Sequence, residues 1–242
     1  MLLRNIWIWT RKELYIDSTN VRFESDSLSL EGVLIVPEGK GPFPAVVVCH
    51  PHPLYGGSME NNVVKAICEA LVNQSIAAFK FNFRGVGDSR GSFSTGREMQ
   101  NDVSGAITYL TAQKEIDPER VGLVGYSAGA AWGLAAVACH PGGLDGRGRR
   151  ISGNGDPRVK ALAGISPPLS LFDFSILKDC RKAKLMLAGS QDEYVKVEEL
   201  QYFCRDLAEP KVCEIIEGAD HFWWGYESLM AEKVAAFLKK CL

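Results

Sequence analysis

The sequence predicts an α/β fold: a mostly parallel sheet covered by helices. Three observations carry that prediction. Short apolar runs alternate along the chain with segments of helical period. Several of these runs are apolar at nearly every position, as a strand buried on both faces requires. The 242 residues are 46% hydrophobic, enough to build a sizeable core in one domain rather than two small ones.

The elements follow in order from about Val21. Residues 28–37 (LSLEGVLIVP) read as a strand, and 44–50 (PAVVVCH) as a strand of the continuously buried kind. Segment 60–74 places Val63, Val64, Ile67, Leu71 and Val72 on one helical stripe. A strand at 76–83, a helix near 98–113 and a strand at 120–126 come next, with a helix opening at Ala128. Three further strands are expected at 159–166, 183–189 and 211–217, with helices near 195–208 and 227–240. Such alternation implies right-handed βαβ units. Residues 142–158 (GGLDGRGRRISGNGDPR), carrying Arg147, Arg149 and Arg150, have no apolar period and read as a solvated surface loop. The first 16 residues space Trp7, Trp9 and Tyr15 evenly, which leaves two readings open: an extra edge strand or a dimer contact. No repeat or linker divides the chain, so residues 1–242 form a single expected domain, with 1–20 as an extra N-terminal strand or arm.

Composition excludes several classes of function. A net charge of −2 offers no general attraction to nucleic acid or to an anionic membrane. No apolar stretch reaches the length of a membrane span, and MLLRNIWIWTRKEL lacks the features of a secretory signal. The seven cysteines (Cys49, Cys68, Cys139, Cys180, Cys204, Cys213 and Cys241) are odd in number and sit mostly in apolar runs. They are expected to be buried reduced thiols in a cytoplasmic protein. There is no CxxC pair, and no metal or cofactor is called for. The expected partner is a small molecule, with a homodimer possible.

The chemistry is concentrated in a few short segments. Residues 125–129 read Gly-Tyr-Ser-Ala-Gly, with a β-run before them and a small-residue helix after. A turn this sharp from strand to helix strains the serine backbone and needs glycines where a Cβ would collide. It lifts the Ser127 hydroxyl to the carboxyl edge of the sheet, above a helix N-terminus that favours a developing anion. A serine hydroxyl needs a base to become nucleophilic. Of His50, His52, His140 and His221, only His221 follows both the serine and the last expected strand. The chain order of nucleophile, acid, histidine selects it. The orienting acid should lie between them at a strand end, and Asp192 sits on the turn after AKLMLAG. Asp173 and Glu193 are competitors, whereas Asp220 adjoins the histidine with its side chain directed elsewhere. An oxyanion hole requires two fixed N–H donors. One should be the amide of Ala128. The second should come from HPHPLYGGSMENN; Pro51 and Pro53 have no N–H, so His52 is the natural donor, ahead of Leu54 and Tyr55.

With these pieces placed, the sequence resembles the α/β-hydrolase superfamily from about Val21 onward. It is most similar to small cap-less serine hydrolases of the dienelactone hydrolase-like and serine-peptidase-like branches. The motifs are HPHPLYGGSMENNVV at 50–64, FNFRGVGDSRGSF at 81–93, GYSAG at 125–129, GSQDEYV at 189–195 and GADHFWWG at 218–225. The resemblance implies a three-layer α/β/α sandwich with an eight-stranded, mostly parallel sheet and a serine esterase-type mechanism. It also implies that Arg84 and Asp88 of RGVGDS brace a structural turn. Dienelactone hydrolases proper use a cysteine nucleophile, so their substrate does not transfer to a chain with Ser127. The short connection between Ser166 and Ala183 leaves no room for a cap domain. The expected activity is hydrolysis of small or short-chain carboxylic esters. A cap-less peptidase or amidase with the same triad, and a non-catalytic binding protein, are the alternatives. Tyr55, Tyr126 and Trp223 are candidate substrate-contacting residues, along with Phe222 and Trp224, although core packing is the competing reading for the tryptophans.

Overall fold

The computed structural model describes residues 17–138 and 155–242. Within them eight strands form one sheet in the order β1-β2-β4-β3-β5-β6-β7-β8. A hairpin of β1 (Asp17–Ser25) and β2 (Leu28–Val36) opens the sheet, and β2 runs antiparallel to β4 (Ala77–Phe81). From there every pairing is parallel, through β3 (Phe43–Cys49), β5 (Ile116–Tyr126), β6 (Val159–Ile165), β7 (Ala183–Gly189) and β8 (Lys211–Ile216). The expected eight-stranded, mostly parallel sheet is therefore present. No separate cap domain occurs among the described residues. The tract 142–154, His140, Cys139 and residues 1–16 lie outside them, including the proposed edge strand or dimer contact and all three loop arginines.

The strand burial explains the pattern seen in the chain. Central β3 is buried at Pro44–Cys49 without interruption, whereas β2, at the antiparallel side, alternates between buried and half-buried positions. Helices α1 (Asn62–Asn73) and α5 (Glu227–Cys241) cover one face. They bury Val63, Val64, Ile67, Leu71, Met230, Val234 and Leu238 in one cluster with Val46, Val48, Val124, Ile165 and Leu187 of the sheet. Helices α2 (Arg97–Thr111), α3 (Ala128–Val137) and α4 (Val197–Asp206) cover the other. There Phe23, Phe79, Phe81 and Phe83 form a run of aromatic contacts, with ring centroids 4.8–6.4 Å apart. Helix α3 is apolar nearly all round because it is enclosed on every side, as a central helix must be.

Two expectations are corrected here. Arg84 does not brace the turn through Asp88, which is exposed and approached by Arg22 at 3.6 Å. The Arg84 guanidinium instead grips Asp102 of α2, with Nη2–Oδ1 at 2.6 Å and Nε–Oδ2 at 3.0 Å. Ser25 donates to the same carboxylate at 2.6 Å. The Asp102 side chain is fully buried and that of Arg84 is 8% exposed, so neither charge has much water to fall back on. Asp102→Ala should therefore lower the unfolding free energy by about 3 kcal/mol, leaving a buried guanidinium with the half-exposed Asp26 as its one carboxylate partner among the described residues and Ser25 Oγ as a neutral acceptor. A urea titration would read this as a lower midpoint at unchanged slope; a loss under about 1 kcal/mol would mean that the pair is not what holds α2 to the sheet edge.

The second correction concerns the cysteines. Cys204 on α4 and Cys213 on β8 are joined by a disulfide. Two residues nine positions apart come together because a helix and the next strand are connected by a tight turn, and sequence spacing alone did not reveal it. Cys49 and Cys68 are buried thiols as expected, both held protonated by burial. The disulfide withdraws two thiols from the argument for a reducing compartment. Among the described residues no helix is long and apolar enough to cross a membrane.

Candidate active site

The site is built where β5 ends. Ser127 occupies the turn between β5 and α3 with φ 53° and ψ −122°, a backbone region that costs a non-glycine residue on the order of 1–3 kcal/mol. The turn closes because its neighbours lack side chains. A Cβ on Gly125 would stand 2.4 Å from Ala130 Cα, and one on Gly129 would stand 2.3 Å from the His50 carbonyl. Strain of this kind persists only where surrounding structure enforces it; here β5, α3 and the end of β3 all do.

Two loops bring the partners. His221, in the β8–α5 loop, places Nε2 3.0 Å from Ser127 Oγ. Its Nδ1 lies 2.9 and 3.0 Å from the two carboxylate oxygens of Asp192. Asp192 follows β7, and its Oδ1 also accepts the N–H groups of Tyr194 and Val195 at 2.9 and 3.0 Å. The carboxylate is fully buried, away from solvent. Because Nδ1–H donates to Asp192, the Nε2 lone pair faces the serine hydroxyl. The structure thus brings together all three residues selected from sequence. The competitors stand apart from this chain of hydrogen bonds: Asp173 accepts from the Ser175 N–H on an exposed turn, Glu193 is exposed, and Asp220 keeps a buried Oδ1 without a partner.

The His221 carbonyl accepts a hydrogen bond from the Tyr126 hydroxyl at 2.8 Å. Tyr126 was expected to touch substrate. It does border the cleft, but its side chain is buried and its hydroxyl is engaged in fixing the histidine loop. Burial raises its phenol further above its usual range, so it stays a donor.

The β3–α1 loop supplies the opposite wall. His50 is fully buried; its Nε2 accepts the Phe83 N–H at 3.2 Å and its Nδ1–H donates to the Pro51 carbonyl at 2.7 Å. Burial lowers its pKa to about 4, so it remains neutral and serves as a clamp between strand ends. The loop is tied again where Asn82 Oδ1 accepts the Met59 N–H at 2.8 Å and Asn82 Nδ2 donates to Glu31 at 2.6 Å. His52 receives the N–H groups of Tyr55 and Gly57 on its carbonyl and that of Leu54 on its ring, while its own amide makes no hydrogen bond among the described residues. The Ala128 amide, in the first turn of α3, likewise has no intrahelical acceptor. Both residues border the same cleft.

That cleft encloses about 120 Å³. Besides the residues above, it is walled by Pro51 and Tyr55, by Pro168, Leu171 and Phe172 of the β6–β7 connection, and by Asn61, Tyr194 and Phe222. Tyr55 borders it from an exposed position. Trp223 does not. Its left-handed backbone (φ 63°) turns the indole inward, where it is fully buried and donates to Ser166 Oγ at 3.1 Å. The core reading of that tryptophan is correct. Asn61, Pro168, Leu171, Phe172 and Tyr194 are wall residues that the sequence does not single out; Tyr194 stands two positions after Asp192 within GSQDEYV, and its ring centroid lies 4.6 Å from that of His221.

Known proteins place this architecture. A family model, X-Pro dipeptidyl-peptidase (S15 family), matches residues 26–146. A protein of Rickettsia prowazekii is 31% identical over 188 residues, covering 74% of this chain and 72% of that protein. Among solved structures, an alpha-beta serine hydrolase homologue from Coxiella burnetii superposes with a TM-score of 0.76 at 26% identity, covering 90% of this chain and 96% of the other. An α/β serine hydrolase without lid from Xanthomonas campestris gives a TM-score of 0.76 at 25% identity, over 93% and 95% of the two chains. The chain is a cap-less hydrolase of the α/β-hydrolase superfamily and belongs to its X-Pro dipeptidyl-peptidase (S15) family.

Proposed function

We propose that the protein hydrolyses small carboxylic esters through an acyl-serine intermediate, with Ser127 as nucleophile, His221 as base and Asp192 as the orienting acid. The observation that carries this reading is the unbroken chain from Ser127 Oγ through both imidazole nitrogens to a buried carboxylate held by two amides. Ser127 Oγ attacks the ester carbonyl carbon as its proton passes to His221 Nε2. The resulting oxyanion is received by the amides of Ala128 and His52, both without other acceptors. The ester C–O bond then breaks, and the alcohol leaves with the proton from His221. Water, deprotonated by the same nitrogen, attacks the acyl-enzyme and releases the carboxylic acid and Ser127. Asp192 supports the imidazolium formed in each half.

The family name raises peptide cleavage as the rival. A dipeptidyl-peptidase must hold the charged amino terminus of its substrate, and an ammonium ion requires a carboxylate or a cluster of oriented carbonyls. Among the described residues bordering the cleft there is no Asp or Glu, and apart from two histidines there is no basic side chain. Proline, leucine and aromatic walls suit a neutral acyl group. Size sets a further limit. An apolar cavity of roughly 150 Å³ holds a benzene molecule, so walls enclosing about 120 Å³ favour a short acyl chain over a long one.

The decisive experiment compares p-nitrophenyl esters of increasing acyl length with aminoacyl and Xaa-Pro anilides. Acetate and butyrate esters should be the best substrates. Octanoate should fall in kcat/KM by about ten- to hundred-fold, the consequence of forcing methylenes into filled space. Faster turnover of Xaa-Pro anilides than of any ester would replace this reading by the peptidase one.

A further inference from the structure

The geometry points to a second recognition element: Tyr194 and Phe222 form an aromatic subsite for the leaving alcohol, so that the preferred substrates are esters of aryl-bearing alcohols. This rests on the esterase reading and deepens it. A tetrahedral carbon bonded to Ser127 Oγ carries three other groups. The oxyanion points to the amides of Ala128 and His52, and the leaving oxygen must face His221 Nε2, from which it takes its proton. Whatever is attached to that oxygen therefore extends past the imidazole.

Two aromatic rings flank the imidazole there. The Tyr194 ring centroid lies 4.6 Å from that of His221 and the Phe222 centroid lies 5.6 Å from it, the latter edge-to-face. Both residues border the cleft that holds Ser127. Tyr194 is 43% exposed and Phe222 45%, so each leaves ring surface uncovered at the mouth of the site, unlike Tyr126 or Trp223. Their backbones are fixed. The Tyr194 N–H is bound to Asp192, and the Phe222 carbonyl accepts from Asn62 Nδ2 at 3.2 Å, a side chain that also donates to Glu227 at 3.0 Å. Mounted surfaces of this kind gain more from a planar apolar group than mobile ones do, since less conformational freedom is lost on contact. The described residues bordering the cleft carry no Asp, Glu, Lys or Arg to complement a charge, which favours a neutral ring over a phosphate-, carboxylate- or ammonium-bearing alcohol.

The test holds the acyl group constant as acetate and compares benzyl with ethyl esters, whose alcohols are of similar acidity; the comparison then reads binding rather than leaving ability. The wild-type enzyme should favour benzyl acetate in kcat/KM by at least about tenfold. Phe222→Ala, and separately Tyr194→Ala, should erase most of that preference, lowering the benzyl value by about tenfold while ethyl acetate changes less than about threefold. Tyr194→Phe should keep the preference, because the ring and not the hydroxyl makes the contact. The breakdown rate of the acetyl-enzyme, which no longer contains the alcohol, should match wild type in Phe222→Ala. An absence of preference in wild type would overturn the subsite. So would equal losses for both esters in Phe222→Ala and Tyr194→Ala, which would indicate a role in holding His221 or Asp192. If the protein is labelled at Ser127 by a fluorophosphonate yet cleaves neither ester, the esterase reading fails and the subsite fails with it.

Discussion

Ser127→Ala should abolish labelling by a fluorophosphonate and reduce kcat for p-nitrophenyl acetate by about 10⁶-fold, to the level that binding and the oxyanion donors alone sustain. The expectation follows from the structure around the hydroxyl. Among the described residues Ser127 is the one serine bordering the cleft, and its Oγ is the only hydroxyl recorded within hydrogen-bonding distance of the His221 imidazole. His221→Ala should cost about as much, because neither His50 nor His52 can substitute. His50 is sealed behind the cleft, bound at both ring nitrogens and kept neutral. His52 offers one ring nitrogen to the Leu54 N–H and packs against Tyr55 and Phe93. The two losses should not add. Once the proton acceptor is gone the hydroxyl has no activated form to lose, so the double variant should be no slower than either single one. If the double variant fell a further thousandfold, the residues would be working independently, and the shared hydrogen bond would not be the unit of catalysis. A folded-state check is straightforward: thermal melting of Ser127→Ala should stay close to wild type, since alanine occupies the same strained backbone without adding volume.

Much of this site was readable in the chain because it depends on local rules. The strand at Phe43–Cys49 is buried on both faces, and that alone makes it a run of apolar residues. The Ser127 turn needs glycine at 125 and 129 for contacts of 2.4 and 2.3 Å, so the motif is a direct imprint of the fold. Asp192 and His221 each follow a strand of the parallel sheet, and all parallel strands present their carboxyl ends on one side. Order along the chain therefore translates into proximity. What was not readable depends on the direction of side chains in loops. Trp223 and Trp224 are adjacent and chemically alike, yet one φ angle of 63° sends the first into the core and leaves the second 67% exposed. Arg84 faces Asp102 rather than Asp88 because α2 crosses the sheet edge at that height, a tertiary fact with no local signal. The length of the β6–β7 connection predicts only that a cap is missing; that it contributes Pro168, Leu171 and Phe172 to the cleft follows from its path over the sheet edge.

Asp192→Asn should leave the fold intact and reduce kcat by about 10⁴-fold. The loss comes from proton placement rather than from a missing contact. In the wild-type protein the carboxylate accepts three N–H groups, those of Tyr194, Val195 and His221, and donates none. An asparagine of the same shape has one oxygen and one NH₂. Its oxygen will remain with the two backbone amides at Oδ1, since each would otherwise be left buried without an acceptor. The NH₂ then occupies the place of Oδ2, 3.0 Å from His221 Nδ1, and offers a proton to that nitrogen. To accept it, the imidazole must carry its own proton on Nε2, the nitrogen that has to receive one from Ser127. The geometry survives while the tautomer inverts. This account makes a further demand that separates it from simple destabilisation. Raising the pH should not restore turnover by deprotonating an impaired acid, but Asp192→Glu, which keeps the acceptor character on a longer stem, should retain more activity than Asp192→Asn despite fitting less well. Were the asparagine variant faster than the glutamate variant, shape rather than charge and proton direction would be what Asp192 contributes.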